Sequence, residues 1–259
     1  MRRLSVFLPF ILMAPAILDA QPSSKGMAQN NTINAVKLEF NYSPSIFPDT
    51  WLNETINARG TAIDPGQIER TRTIITKALS KYPEKLLQLN LKTVYFMRTM
   101  AMYDVGFGGT NSIDALYLTN NGIDMGYTDQ YLEQTFHHEF SSILFRNYPS
   151  FMDTIAWKAA NVQGFDYNDP EAGVGAIRKQ ESSQALDTAL CRLGFLTQYA
   201  YSGIENDVNT IAQNIFKPTT GFWDIVNNYP RIKEKVRILV QFYGRISPTF
   251  TQQFFMKME

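Results

Sequence analysis

Both histidines of the chain stand side by side in Thr135-Phe136-His137-His138-Glu139-Phe140-Ser141-Ser142-Ile143-Leu144-Phe145, and this stretch constrains the fold more than any other. Around it, Leu132, Phe136, Phe140, Ile143 and Leu144 recur at helical spacing, which predicts an amphipathic helix from about Asp129 to Asn147, ended by Tyr148-Pro149. In a metal-binding helix of the HExxH type, two imidazoles four residues apart project from one face. The Glu after the first His then acts as base for a metal-bound water. His138 and Glu139 meet that pattern, but Ser142 holds the second imidazole's place and the signature reads HExxS. His137 points roughly a quarter-turn or more away around the helix and does not repair it.

Composition sets the frame for this helix. With 259 residues, 44% hydrophobic and 13% aromatic, the chain has enough apolar material for a sizeable core in one domain. Arg2 and Arg3 precede an apolar run from Val6 to Met13, and Ala14, Ala16 and Ala20 are small residues suited to a cleavage site, so residues 1–20 read as a secretory signal peptide. That run is too short and too interrupted by proline to span a bilayer, and no transmembrane segment is expected in the mature chain. Residues 21–35 are polar and read as a disordered tether, leaving 36–259 as a single domain. The expected setting is exported: periplasmic, cell-surface or secreted. Cys191 is the only cysteine, so there is no disulfide within the chain and no N-terminal lipobox cysteine, and a buried core position is expected for it. Removing residues 1–20 takes two arginines and one aspartate from 24 and 24, leaving 22 Lys+Arg against 23 Asp+Glu. That balance offers no attraction for nucleic acid or an anionic membrane surface.

Coarse elements follow from punctuation and periodicity. Asp64-Pro65 starts a helix carrying Ile68, Ile75 and Leu79, stopped by Pro83. Leu91 to Met97 and Ala115 to Thr119 read as strands, with a glycine-rich loop from Gly106 to Thr110 between them. The stretch 157–180 is aromatic and turn-rich and reads as an ordered loop; a short helical passage over 184–193 follows and breaks at Gly194. Ser202-Gly203-Ile204-Glu205 matches a capping box ahead of a helix that runs to Pro218. The last helix starts at Pro230, with Ile232, Val236, Leu239, Val240 and Tyr243 inward and Arg231, Lys233, Glu234, Lys235 and Arg237 in water.

Taken together, these pieces resemble a family of bacterial exported zinc-binding metallopeptidase-like proteins, often lipoproteins that accompany outer-membrane nutrient uptake. The likeness covers roughly residues 90–250 and rests on Thr135 to Phe140, Gly194-Phe195 through Tyr199-Ala200, Glu205-Asn206-Asp207 and the closing helix from Tyr229 to Lys235. It implies an α+β zincin-like domain: a small mixed sheet whose edge strand packs on the motif helix, followed by a mainly helical C-terminal part. The strand before that helix, Ala115 to Thr119, takes the edge position in this reading. The resemblance further implies His138 as first metal ligand, Glu139 as general base and Glu205 as third ligand. Ser142 replaces the second histidine, and Asn209 stands where a supporting carboxylate is common.

A supporting group alone is worth about 10–100-fold in metal affinity, and loss of a ligating imidazole costs more. No cofactor is therefore expected, and zinc only if the protein is active. The leading expectation is a degenerate peptidase-like protein that binds a peptide or an exported protein in its cleft. An active zinc hydrolase with a substitute ligand, such as Asp207, is the alternative. Bland roles stay open beside these: His138 and Glu139 as hydrogen-bonded remnants, His137 as structural, and Glu205 as the partner of Ser202 in the capping box. Neither Ser141 nor Ser142 lies in a nucleophile-elbow pattern.

Overall fold

The computed structural model describes residues 36–167 and 171–258, together with the short strand β1 (Thr32–Ile33). The expected signal peptide, and the tether apart from β1, lie outside the described residues. The architecture is mixed α+β. Its organising strand is β4 (Thr93–Met102), which carries neighbours on both sides. Over its first half it runs parallel to β2 (Val36–Glu39) on one side and to β7 (Ala115–Thr119) on the other, with Thr93 opposite Lys37 and Ala115. Its second half pairs antiparallel with β3 (Arg59–Ala62) and with β5 (Val105–Gly106). Tyr103 and Asp104, both at positive φ (52° and 60°), make the two-residue turn between β4 and β5.

Past β7 lies β6 (Gly109–Asn111), antiparallel to it, at the edge of the sheet. The sequence reading placed the edge at Ala115 to Thr119 and a loop over Gly106 to Thr110. Instead β7 is an interior strand, buried at every residue, and the glycine-rich stretch supplies the edge. Gly109 explains why it can. A Cβ there would lie 2.7 Å from Thr135 Cγ2 and 3.0 Å from Glu139 Cγ, so only glycine lets the strand lie this close to the motif helix.

Strand alternation divides the two faces of the sheet. Val94, Phe96, Leu116 and Leu118 join the main core with the helices, whereas Met97, Ala115 and Tyr117 join a second cluster with Phe47, Met100, Met102 and Phe107. On the helical side, α3 (Asp129–Asn147) packs on β6 and β7, and α1 (Ile68–Leu79) and α7 (Ile204–Phe216) pack on α3. Asp64 caps the turn ahead of α1 through Gly66 N, as its sequence suggested, while Thr128 caps α3 through Tyr131 N. A further helix, α2 (Glu84–Asn90), starts directly after Pro83, where the sequence reading had none.

Within the stretch expected as loop, residues 157–159 belong to α4 (Thr154–Ala159) and residues 172–178 form α5 (Ala172–Arg178). The passage after it is helical only as α6 (Thr188–Leu193), closed by Gly194 at φ +105°. The C-terminal part adds α8 (Phe222–Asn228), α9 (Pro230–Ile246) and α10 (Gln252–Phe255).

Candidate functional site

The motif helix α3 is not amphipathic in the way its apolar stripe suggests. Every residue from Leu132 to Leu144 is buried, including Glu133, Gln134, His137, His138, Glu139, Ser141 and Ser142. A helix buried on all sides must satisfy its polar groups within the protein. Gln134, His138 and Ser142 find partners on α7, which carries its own buried row of Asn206, Asp207, Asn209, Thr210, Gln213 and Asn214, whereas Glu133, His137 and Glu139 turn to Lys81, Tyr82 and Asn111.

The two helices run antiparallel and are joined by regular polar rungs. His138 Nδ1 meets Gln213 Oε1 at 2.8 Å, and one turn further along α3, one turn back along α7, Asn209 Nδ2 donates to Ser142 Oγ at 2.6 Å. In the other direction Gln134 Nε2 donates to Lys217 O at 2.8 Å. Because Oε1 can only accept, the His138 Nδ1 carries the proton and Nε2 carries the lone pair. Burial holds His138 neutral, its pKa lowered to about 3 against the opposing effect of Gln213.

The sequence-derived residues therefore meet. Ser142 hydrogen-bonds the half-buried Glu205 as well as Asn209, so the places of second ligand, third ligand and supporting group form one cluster. Asn209 Oδ1 has no hydrogen-bond partner among the described residues. Glu139 lies alongside, under the edge strand: Asn111 Nδ2 donates to its Oε2 at 2.8 Å, while its Oε1 has no partner among the described residues. Desolvation raises the Glu139 carboxyl to about 8; Asn111 opposes the rise, the charge of Glu205 adds to it, and Arg146 opposes it. Glu205 is raised by burial to about 7, opposed by Ser142 and Arg146. Arg146 itself donates to Asn111 Oδ1 at 3.0 Å and to Ser112 O.

Four expectations are corrected here. The capping box is not formed: Gly203, in extended backbone, is the N-cap of α7, and Ser202 Oγ instead bonds Tyr199 O and Asn206 Nδ2. This frees Glu205 to turn toward Ser142. Asp207 is not a substitute ligand, because its Oδ2 is taken by Lys235, Trp157 and Tyr167. Lys235, expected in water, is fully buried in that pair, with its ammonium over the rings of Phe195 and Trp157. The expected cleft is closed over the motif, for His138, Glu139 and Ser142 are 1%, 2% and 2% exposed. His137 is structural as expected: it is buried, bonded to Tyr82 Oη at 2.8 Å and stacked on Phe216. Cys191, too, is buried.

No known family profile matches the chain, and no curated protein does. Among solved structures, it is similar to a crystal structure described as a "putative zinc-binding metallo-peptidase" from Bacteroides caccae, at 15% identity and a TM-score of 0.55, over 88% of this chain and 86% of that one. The fold resembles that of a metallopeptidase.

A metallopeptidase-like fold raises the question of zinc, which the donors around His138 answer. Among the described residues, no group of three His, Cys, Asp or Glu side chains is placed to hold a metal ion. Around His138 the set is one imidazole and one carboxylate, with a neutral hydroxyl already engaged by Asn209. These residues do not fit a structural or catalytic zinc site, which takes at least three protein ligands. Sequence reasoning missed Gln213, Arg146 and Asn111. The first two were legible, since Glu205, Asn209 and Gln213 repeat at four-residue intervals, as do His138, Ser142 and Arg146.

Proposed function

We propose that this protein is a catalytically degenerate, exported relative of zincin-type metallopeptidases that acts as a peptide- or protein-binding accessory of nutrient uptake. The observation that carries the reading is the Ser142 rung: where a second imidazole would stand, a hydroxyl is tied to Asn209 and Glu205. Without a metal, Glu139 has no polarised water to activate, since the cation is what brings a bound water from about 15.7 toward about 7. The motif side chains themselves are buried, with His138, Glu139 and Ser142 at most 2% exposed.

Export is supported by the basic and apolar start of the chain, and no helix among the described residues is long and apolar enough to cross a membrane. We take residues 36–259 as one domain, since the main core draws on residues from Val36 to Phe255. Outside the polar rungs, surface cavities of about 300 and 360 Å³ open beside Tyr201 and Arg231.

Ser142→His tests the alignment. With His138 and Glu205 it completes three ligands, so the folded variant binds zinc on dialysis and the wild type does not. A folded Ser142→His that takes up no zinc contradicts the equivalence of His138, Ser142 and Glu205 to a peptidase site.

A further inference from the structure

The rungs between α3 and α7 keep strict register. Each step of four along α3 is matched by a step of four backward along α7, so that His138 faces Gln213 and Ser142 faces Asn209. The same count carried one step further brings Arg146 level with Glu205. We propose that Arg146 is the built-in counter-charge of the buried Glu139 and the half-buried Glu205 carboxylates, a guanidinium standing in for the cation that a metallopeptidase fold holds at this point.

Three features converge on this assignment. Arg146 shares a face of α3 with His138 and Ser142, and its guanidinium is held toward the site by Asn111 Oδ1 and Ser112 O. Asn111 is the relay, because the same side chain donates to Glu139 Oε2 at 2.8 Å. Burial lowers the Arg146 guanidinium and raises both carboxyls; the charges of the two glutamates oppose the first shift, and that of Arg146 opposes the other two. A buried carboxylate with a half-buried one beside it is costly to ionise without a cation, and zinc or a guanidinium answers the same need. Arginine suits the task because it stays charged and offers several N–H donors in one plane.

The inference rests on the metal-free reading above, and the two fail separately: zinc in the wild type sinks that reading, whereas a thermal double-mutant cycle in EDTA tests Arg146 alone. The cycle compares wild type, Arg146→Met, Glu205→Gln and the double variant at pH 8. Removing one partner of a buried pair should lower Tm by about 5–10 °C in Arg146→Met. Adding Glu205→Gln should recover at least half of that loss. If Arg146→Met does not fold, Arg146→Lys carries the test: a retained charge keeps Tm within about 3 °C of wild type if the role is electrostatic. Losses that simply add, or an Arg146→Lys as damaged as a neutral variant, mean that Arg146 serves only its bonds to Asn111 and Ser112 and overturn the proposal.

Discussion

At the scale of single residues, the molecule turns on buried polar groups whose partners come from other elements. Ser142 serves both Asn209 and Glu205. Ser142→Ala leaves an amide and a carboxyl without it and is expected to cost about 1–3 kcal/mol, read from the urea midpoint. Adding Asn209→Leu to it should restore part of that loss; a double variant weaker than the sum of the singles speaks against the rung. Lys235 and Asp207 show the same logic with charge. Burial pushes the Asp207 carboxyl up and the Lys235 ammonium down, and the pair opposes both shifts. Lys235→Met strands Asp207 between Trp157 and Tyr167 and is expected to cost about 3–5 kcal/mol, much more than Lys235→Met with Asp207→Asn. Periodicity could not have found this pair. Lys235 sits in a run of charges that looks solvated, and only the arrival of Asp207 from α7 shows where it goes.

At the scale of elements, the helices that carry the site were legible. The bounds of α3 agree with the expected Asp129 to Asn147, because Thr128, Asp129 and Tyr148-Pro149 are local signals acting on local backbone. Glu205, Asn209, Ser142 and His138 were paired by their places in a motif, and the structure brings them together. What stayed hidden depends on long-range packing. The edge strand β6 reads as loop because Gly109 has no strand propensity, and its reason for being there is the surface of α3. Gly109→Ala is therefore expected to cost about 1–3 kcal/mol through overlap with Thr135 and Glu139. Thr135→Ser, which removes the nearer contact atom, should soften the penalty, and an undiminished penalty would place the conflict elsewhere.

At the scale of the whole molecule, buried titratable groups set the pH range of stability. The two histidines are held neutral by burial, near 4 for His137 and 3 for His138, below the ordinary 6.5. The unfolded chain then binds more protons, and their contribution is lost as pH falls below about 6.5, roughly 2 kcal/mol each between pH 7 and 5. Glu139 and Glu205 have the opposite sign: raised to about 8 and about 7, they weaken the fold as pH rises above their ordinary 4.5. Over pH 5 to 7 the two pairs nearly cancel. Below 4.5 the glutamates no longer compensate, and Glu133, lowered to about 2 by His137 and Lys81 against its burial, adds to the loss. The expected urea-midpoint profile is level from pH 7 to 5 and steep below 4.5; in Glu139→Gln/Glu205→Gln the decline should begin near pH 6.5. A level profile in that double variant would mean that the histidines are not held neutral.

The proposed function holds that this fold keeps the framework of a metal site without the metal. Elemental analysis of the purified wild-type chain after dialysis against micromolar zinc, with His138→Ala beside it, measures this directly. The account predicts far less than one zinc per chain in both proteins. About one zinc per wild-type chain, lost in His138→Ala, would contradict it and make hydrolysis the reading to pursue.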